Sequence, residues 1–364
     1  MPRFRLPGAL ALGLVLPLLA SLVALAPAGA TPRTDNPLAG REWGVYQGPA
    51  EMAWLPYTLA TGKEKKLLGR IALTPKAKWF GNWISNDDIA QKVDDYIANA
   101  TGGDEDVLVQ LTLFRMNPWE QDACTMLPTK EQRASYKQYV RRFAKAIGDQ
   151  HAAVVLQPDG PFALCAPGGS KAHSRLIAYT SKVLSGLPHT ATYIEAGTAE
   201  WSHFEVDRAV RLLVRGGVEH VRGFTFNVTH YESTASQVRF GAEVVKALEA
   251  RGLGRKHFVV DTAENGRPFS GKWWRAHNTG ERWDNATTCQ EQSDRRCVTL
   301  GIPPTTQVAA KKWGLPSDVR RLARRHVDAY LWAGRPWLFN QTAPFDMTRG
   351  LAVARTTPWA KYLP

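Results

Sequence analysis

The 364-residue sequence predicts an α/β chain, a TIM-like (β/α) barrel of about seven parallel strands in one domain. Three observations predict it. From about residue 75, seven short apolar runs rich in Val, Phe, Tyr and Trp recur with few charges, as strands covered on both faces require. Segments with helical period separate them, which implies parallel strands joined by right-handed crossovers. No Ser/Thr/Pro-rich linker and no internal repeat breaks the alternation. A doubly wound open sheet is the alternative, but no G-x-G-x-x-G follows any of the runs.

In chain order, Arg3 and Arg5 precede an apolar stretch from Leu6 to Leu25, and small residues follow at Ala28 and Ala30. This is the pattern of a secretory signal over residues 1–30, cleaved after Ala30, leaving residues 31–364 as a single secreted, extracellular domain. An uncleaved membrane anchor is the alternative for a stretch of this length; Pro17 and the A-x-A ending favour cleavage. The apolar runs are AKWFGNWI from Ala77, DVLVQLTLF from Asp106, AAVVLQ from Ala152, TATYIEA from Thr190, VRGFTFNV from Val221, HFVVDT from His257 and AYLWAG from Ala329. Between them, Tyr136, Tyr139, Val140, Phe143 and Ile147 fall on one helical face. Leu176, Tyr179 and Val183, then Val210, Leu213 and Val214, then Val244, Val245 and Leu248 repeat the theme.

Composition narrows the function. Hydrophobic residues at 44% and charged residues at 22% exclude a disordered or collagen-like chain. The formal charge is +13, and +11 once Arg3 and Arg5 leave with the signal. The basic residues are scattered, with short clusters at Lys63–Lys66 and Arg320–Arg325 that read as solvated helix faces. A monomer with no nucleic-acid partner, and no membrane partner after cleavage, is expected; binding to an anionic envelope polymer is a rival use of the charge. In an oxidising compartment four cysteines imply two disulfides, with three possible connectivities. No H-E-x-x-H, G-x-S-x-G or P-loop motif occurs, so neither metal nor cofactor is expected.

In parallel α/β folds chemistry collects at the carboxyl ends of the strands. The third run ends in VVLQPDG, which puts Asp159 just past a buried strand. The fourth ends in YIEAGTAEW, with Glu195 at its tip and Trp201 beyond. The second leads to Arg115, Asn117, Trp119 and Asp122; the fifth carries Asn227, then His230 and Tyr231; the sixth ends at Asp261, followed by Glu264. One Asp after a strand is an ordinary turn or cap residue, and one Trp is ordinary core. Acids, amides and Trp together at one end of a sheet suit a sugar: indole faces stack on pyranose rings, and a carboxyl pair works on the glycosidic oxygen.

These motifs resemble glycoside hydrolase family 6, the inverting β-1,4-glucanases and cellobiohydrolases, from about Asn36 to the C-terminus. VVLQPDGPFALC is similar to the family's strand ending in Glu-Pro-Asp, whose Asp is the general acid, which implies Asp159 for that role; Gln157 replaces the Glu. YIEAGTAEW is similar to its Tyr-Leu-Asp-Ala-Gly-His motif, which makes Glu195 and Trp201 sugar-binding residues, and GFTFNVTHY implies the same for Asn227. The resemblance also implies a distorted barrel, Asp122 as the carboxylate that tunes the acid, and disulfides Cys124–Cys165 and Cys289–Cys297. In YLWAGRPWLFNQ, Gly334 stands at the family's Lys, with Arg335 beside it expected to replace that Lys, and Asn340 stands at the final Asp, the family's proposed base; Arg335 and Asn340 are expected to bind substrate. Trp332 and Trp79 or Trp83 are expected as stacking platforms, and the Trp-rich stretch from Gly266 to Gly314 as a cover. With Asn340 unable to act as a base, Asp122 is expected to take the water's proton through a bridging water, Asp346 being the alternative. The substrate expected is a β-glucan; the rival is a non-catalytic glycan-binding protein on the same fold.

Overall fold

The computed structural model describes Met1, Pro2 and residues 35–201 and 205–364; the expected cleavage site and nearly all of the leader lie outside them. Residues 35–364 form one compact unit. Its first two helices are α1 (Trp54–Leu59) and α2 (Gly62–Ala72), which the apolar pattern did not announce. Then strands and helices alternate: β1 (Lys78–Gly81), α3 (Ile89–Thr101), β2 (Val109–Phe114), α4 (Lys130–Ile147), β3 (Ala152–Leu156), α5 (Ala172–Leu184), β4 (Thr190–Glu195), α6 (Val206–Arg215), β5 (Gly223–Phe226), α7 (Thr234–Glu249) and β6 (His257–Asp261). The chain continues through α8 (Gly271–His277), α9 (Ser317–His326) and β7 (Val327–Leu331), then a hairpin of β8 (Leu338–Phe339) and β9 (Thr342–Phe345), and α10 (Met347–Thr356).

Six of the seven apolar runs contain a strand, and the seventh overlaps β7, which begins two residues before it. The strands pair in sequential order β1 to β7, each parallel to its neighbour. Among the described residues no ladder joins β7 to β1. That seam is bridged instead by the Ala77 N–H donating to the Trp332 carbonyl and the Trp79 indole N–H donating to Ala333, each at 2.7 Å. This open seam is the distortion of the barrel.

Alternate strand residues face opposite layers. Ala153, Val155, Ala191, Tyr193, Val259, Ala329 and Leu331 form an inner cluster with Leu38 and Trp79. Val154, Leu156, Ile194, Phe224, Phe226, Phe258 and Val260 pack outward against the helices. The helix faces follow the sequence period: Tyr136, Tyr139, Val140, Phe143 and Ile147 of α4 are all buried. Val214 departs from it, 39% exposed near the end of α6. The start of α4 is held by a capping box, in which Thr129 Oγ1 accepts from the Gln132 N–H and the Gln132 side chain accepts from the Thr129 N–H. A further cluster of Tyr231, Phe269, Val298, Leu300, Trp332 and Trp337 lies beneath the stretch that follows β6. No helix of the described residues is long and apolar enough to cross a membrane.

Candidate active site

A cleft of about 930 Å³ opens over the carboxyl ends of the strands. Asp159 stands in its wall. The chain leaves β3 through two residues in left-handed backbone, Gln157 (φ 54°) and Asp159 (φ 65°), which turns the Asp159 side chain out of the strand direction. Three bonds hold this turn. The Gln157 side chain accepts from the Met116 N–H at 3.2 Å, the Trp119 indole donates to the Pro158 carbonyl at 2.9 Å, and the Gly160 N–H donates to Glu195 Oε2 at 2.9 Å. Gly160 has to be glycine, because a Cβ there would lie 2.0 Å from the Glu195 carbonyl oxygen. Among the described residues the Asp159 carboxyl has no hydrogen-bond partner. Burial, then the nearby Glu195, Glu120 and Asp284 charges, hold it well above the usual carboxylate range, so it keeps its proton.

Glu195 does not line the cleft. It is 1% exposed and accepts from the N–H groups of Gly160 and Gly197, at 2.9 and 2.6 Å. Burial pushes its carboxyl up to about 8 against the pull of those donors. It therefore clamps the loops after β3 and β4 together beneath Asp159 instead of meeting a sugar. Asn227 is likewise consumed: fully buried, it donates to the carbonyls of Glu232 and Asp261 and accepts from Gln237.

The aromatic expectations divide. Trp83, 58% exposed, and half-buried Trp201 line the cleft and offer ring surface. Trp201 stacks on His230, ring centroids 5.3 Å apart, with Phe162 edge-on. Trp79 is buried, and the Arg335 guanidinium covers its ring at 4.1 Å. Trp332 backs the cleft but is fully buried, its indole N–H given to Ile302, so it is core and no platform. Arg335 faces the cleft, and burial brings its guanidinium down to about 10, still cationic. Asn340 also lines it, with a buried Oδ1 that has no hydrogen-bond partner among the described residues.

Both disulfides are present, Cys124–Cys165 and Cys289–Cys297. The first ties the 3-10 turn Glu120–Cys124 after β2 to the end of the turn Gly160–Leu164 after Asp159. In that first turn, Glu120 lines the cleft and Asp122 does not: Asp122 is exposed, off the wall. Two residues along a tight turn point to different sides, and the sequence motif does not say which acid faces inward. Asp346 is a helix cap, its Oδ1 accepting from the Arg349 N–H at 3.0 Å at the start of α10.

Several cleft residues had no signal in sequence. Glu51 comes from the segment before α1; Glu200 and Glu232 pair in the cleft wall, where Glu232 is raised to about 8 by burial and by Glu200. The stretch expected as a cover supplies Gly271, Arg275, Trp283 and Asp284 to the wall. At the β7 end, Gly334 is shaped by Glu264: a Cβ there would sit 2.0 Å from Glu264 Oε1, whose carboxyl is held by Gln341 at 3.0 and 2.8 Å.

Residues 50–335 match the family described as glycosyl hydrolases family 6. Endoglucanase A of Cellulomonas fimi is 31% identical over 241 residues, 66% of this chain and 51% of its own length, so the chain spans about half of that relative. Endoglucanase 1 of Streptomyces halstedii is 29% identical over 239 residues, 63% of this chain and 71% of its own. Among solved structures, the endoglucanase of Mycobacterium tuberculosis, bound to a thio-linked cello-oligosaccharide, matches with a TM-score of 0.68 and 23% identity, covering 88% of this chain and 99% of that one. Cellobiohydrolase II of Humicola insolens, in complex with glucose and cellotetraose, matches with a TM-score of 0.62 and 18% identity over 88% and 98% of the two chains.

Proposed function

Because the chain belongs to glycosyl hydrolase family 6, we propose that it hydrolyses β-1,4-glucosidic bonds of a cellulose-like glucan with inversion at the anomeric carbon, after export behind the leader. The observation that carries this reading is Asp159: a carboxyl that burial pushes well above the usual carboxylate range, with no protein hydrogen-bond partner among the described residues, on a turn fixed by three bonds in the wall of an open cleft. A general acid needs that combination, a proton retained near neutral pH and a free path to the leaving oxygen.

The glucan chain runs along the cleft with glucosyl rings on Trp83 and Trp201, while Arg335 and Asn340 present donors and an acceptor to its hydroxyls. As the C1–O4 bond breaks, Asp159 passes its proton to the departing oxygen and a water oxygen bonds to C1 from the opposite face. Glu195 holds the acid's loop, and burial keeps Asp159 protonated. Glu120 contributes in the same sense from the disulfide-tied turn, the role that sequence reading assigned to Asp122.

The test is release of reducing ends from phosphoric-acid-swollen cellulose. Wild type should release them, and Asp159→Asn should be slower by about 10²–10⁴, with a smaller loss on a dinitrophenyl cellobioside whose leaving group needs little protonation. Equal losses on both substrates would make Asp159 a structural turn residue. A wild type that binds the glucan and releases no reducing ends would leave a glycan-binding protein, the reading that Asn340 favours.

A further inference from the structure

Inversion leaves one proton without an owner. The water that attacks C1 must give up a proton on the face opposite Asp159, and the amide of Asn340 cannot take it. The carboxylates that line the cleft besides Asp159 are Glu51, Glu120, Glu200, Glu232 and Asp284.

Four of these are committed elsewhere. Glu51 accepts from the Ala53 N–H at 3.1 Å and lies 3.9 Å from the Lys76 ammonium. Glu200 uses both oxygens on the N–H groups of Gly271 and Lys272. Glu232 accepts from Thr198, Gln237 and the Glu200 N–H. Glu120 sits on the turn that the Cys124–Cys165 bridge ties to the acid's own loop.

Asp284 has none of these hydrogen-bonded or disulfide-tied commitments. It enters from the cover between β6 and β7, in the 3-10 turn Trp283–Asn285, as an exposed residue of the cleft wall whose carboxyl has no hydrogen-bond partner among the described residues. Its backbone, by contrast, is pinned on both sides. Tyr231 Oη donates to the Trp283 carbonyl at 2.7 Å, and Arg349 Nη1 donates to the carbonyls of Asn285 and Ala286 at 3.2 and 3.0 Å. The Trp283 ring packs edge-on against Tyr231 and Trp274, with centroids 4.8 and 5.1 Å away. A rigid backbone carrying an unencumbered carboxylate is what positions a catalytic base.

We propose that Asp284, reaching in from the cover loop, is the proton acceptor for the attacking water, in place of an acid at the Asn340 position. This rests on the hydrolase reading above. The water oxygen bonds to C1 as one of its protons passes to the Asp284 carboxylate. The C1–O4 bond breaks, and its electron pair takes the proton of Asp159. Solvent then reprotonates Asp159 and deprotonates Asp284. The electrostatics agree: partial desolvation in the cleft lifts the Asp284 carboxyl and makes it more basic than an open-water Asp, with Arg282 and Arg335 opposing the rise. Its charge also reaches Asp159 and helps keep that group protonated.

The experiment compares wild type, Asp284→Ala, Asp284→Asn and Glu120→Ala on swollen cellulose and on dinitrophenyl β-cellobioside, with and without sodium azide. Both Asp284 variants should unfold at the wild-type temperature, the site being exposed, and should turn over about 10²–10⁴ more slowly on both substrates, because water activation is needed whatever the leaving group. Azide should restore Asp284→Ala and give α-cellobiosyl azide, identified by NMR; Glu120→Ala should give none. Wild-type turnover in the Asp284 variants, or the azide product from Glu120→Ala in place of Asp284→Ala, overturns the assignment while leaving the hydrolase reading intact. A wild type that releases no reducing ends overturns that reading, and this assignment falls with it.

Discussion

Glu195→Ala separates a clamp from a sugar ligand. The side chain is buried and bonds two backbone N–H groups, at Gly160 and Gly197. A Cβ on Gly160 would strike the Glu195 carbonyl, so the loops are too close for water to replace the lost carboxyl readily. Each buried donor left without an acceptor costs about 1–3 kcal/mol, so the variant should lose about 2–6 kcal/mol. That is a large share of the roughly 5–15 kcal/mol that stabilises a typical domain. Glu195→Gln keeps one acceptor oxygen and should lose about half as much, roughly 1–3 kcal/mol. Since Gly160 directly follows Asp159, both variants should also lower kcat, because the acid is no longer held in place. Urea unfolding gives the stability and initial rates on swollen cellulose give kcat and KM. An unchanged unfolding midpoint with a raised KM alone is the signature of lost uniform binding; it would refute the clamp and restore Glu195 as a sugar ligand.

Gly334→Ala should destabilise by about 1–3 kcal/mol, because its Cβ would force Glu264 off Gln341, and Gln341 also accepts from the Arg335 N–H at 2.7 Å; thermal unfolding checks it, and a midpoint at or above wild type would refute it. Burial holds Glu195 and Glu232 at about 8 and Asp261 at about 7, above their unfolded values. Between their unfolded and folded values the native state therefore binds more protons, and stability should be full below that window and fall as pH rises through it toward 8. The unfolding midpoint should be higher near pH 5 than near pH 8, and a rising profile would contradict the sign. Replacing Cys124 and Cys165 by Ser opens a loop of 41 residues and should cost roughly 4 kcal/mol in the chain-entropy account; activity should fall further than unfolding of the sheet explains, as the Glu120 turn detaches from the acid's loop.

The sequence by itself determined the seven strands, their order and the inward faces of the main helices, because the period of apolar residues is a local property that burial on a sheet or helix enforces. It also placed Asp159, since a polar residue just past a buried strand has only the strand's carboxyl end to occupy, and it named the two cysteine pairs through the family resemblance. Tertiary structure decided what each polar and aromatic group spends its atoms on. Glu195, Asn227 and Trp332 stand at strand tips as expected, yet each spends a hydrogen bond on a residue 30 to 35 positions away in the chain, Gly160, Asp261 and Ile302 respectively. Trp79 lies under Arg335 only because β1 meets the end of β7 at the barrel seam. Glu120 in place of Asp122 follows from the sense of one tight turn, and Asp284 from a cover with no period to read, anchored by Tyr231 and Arg349 from distant elements. Periodicity fixes which side of an element a residue takes; partners come from the packing of elements far apart in the chain, and catalysis here depends on partners.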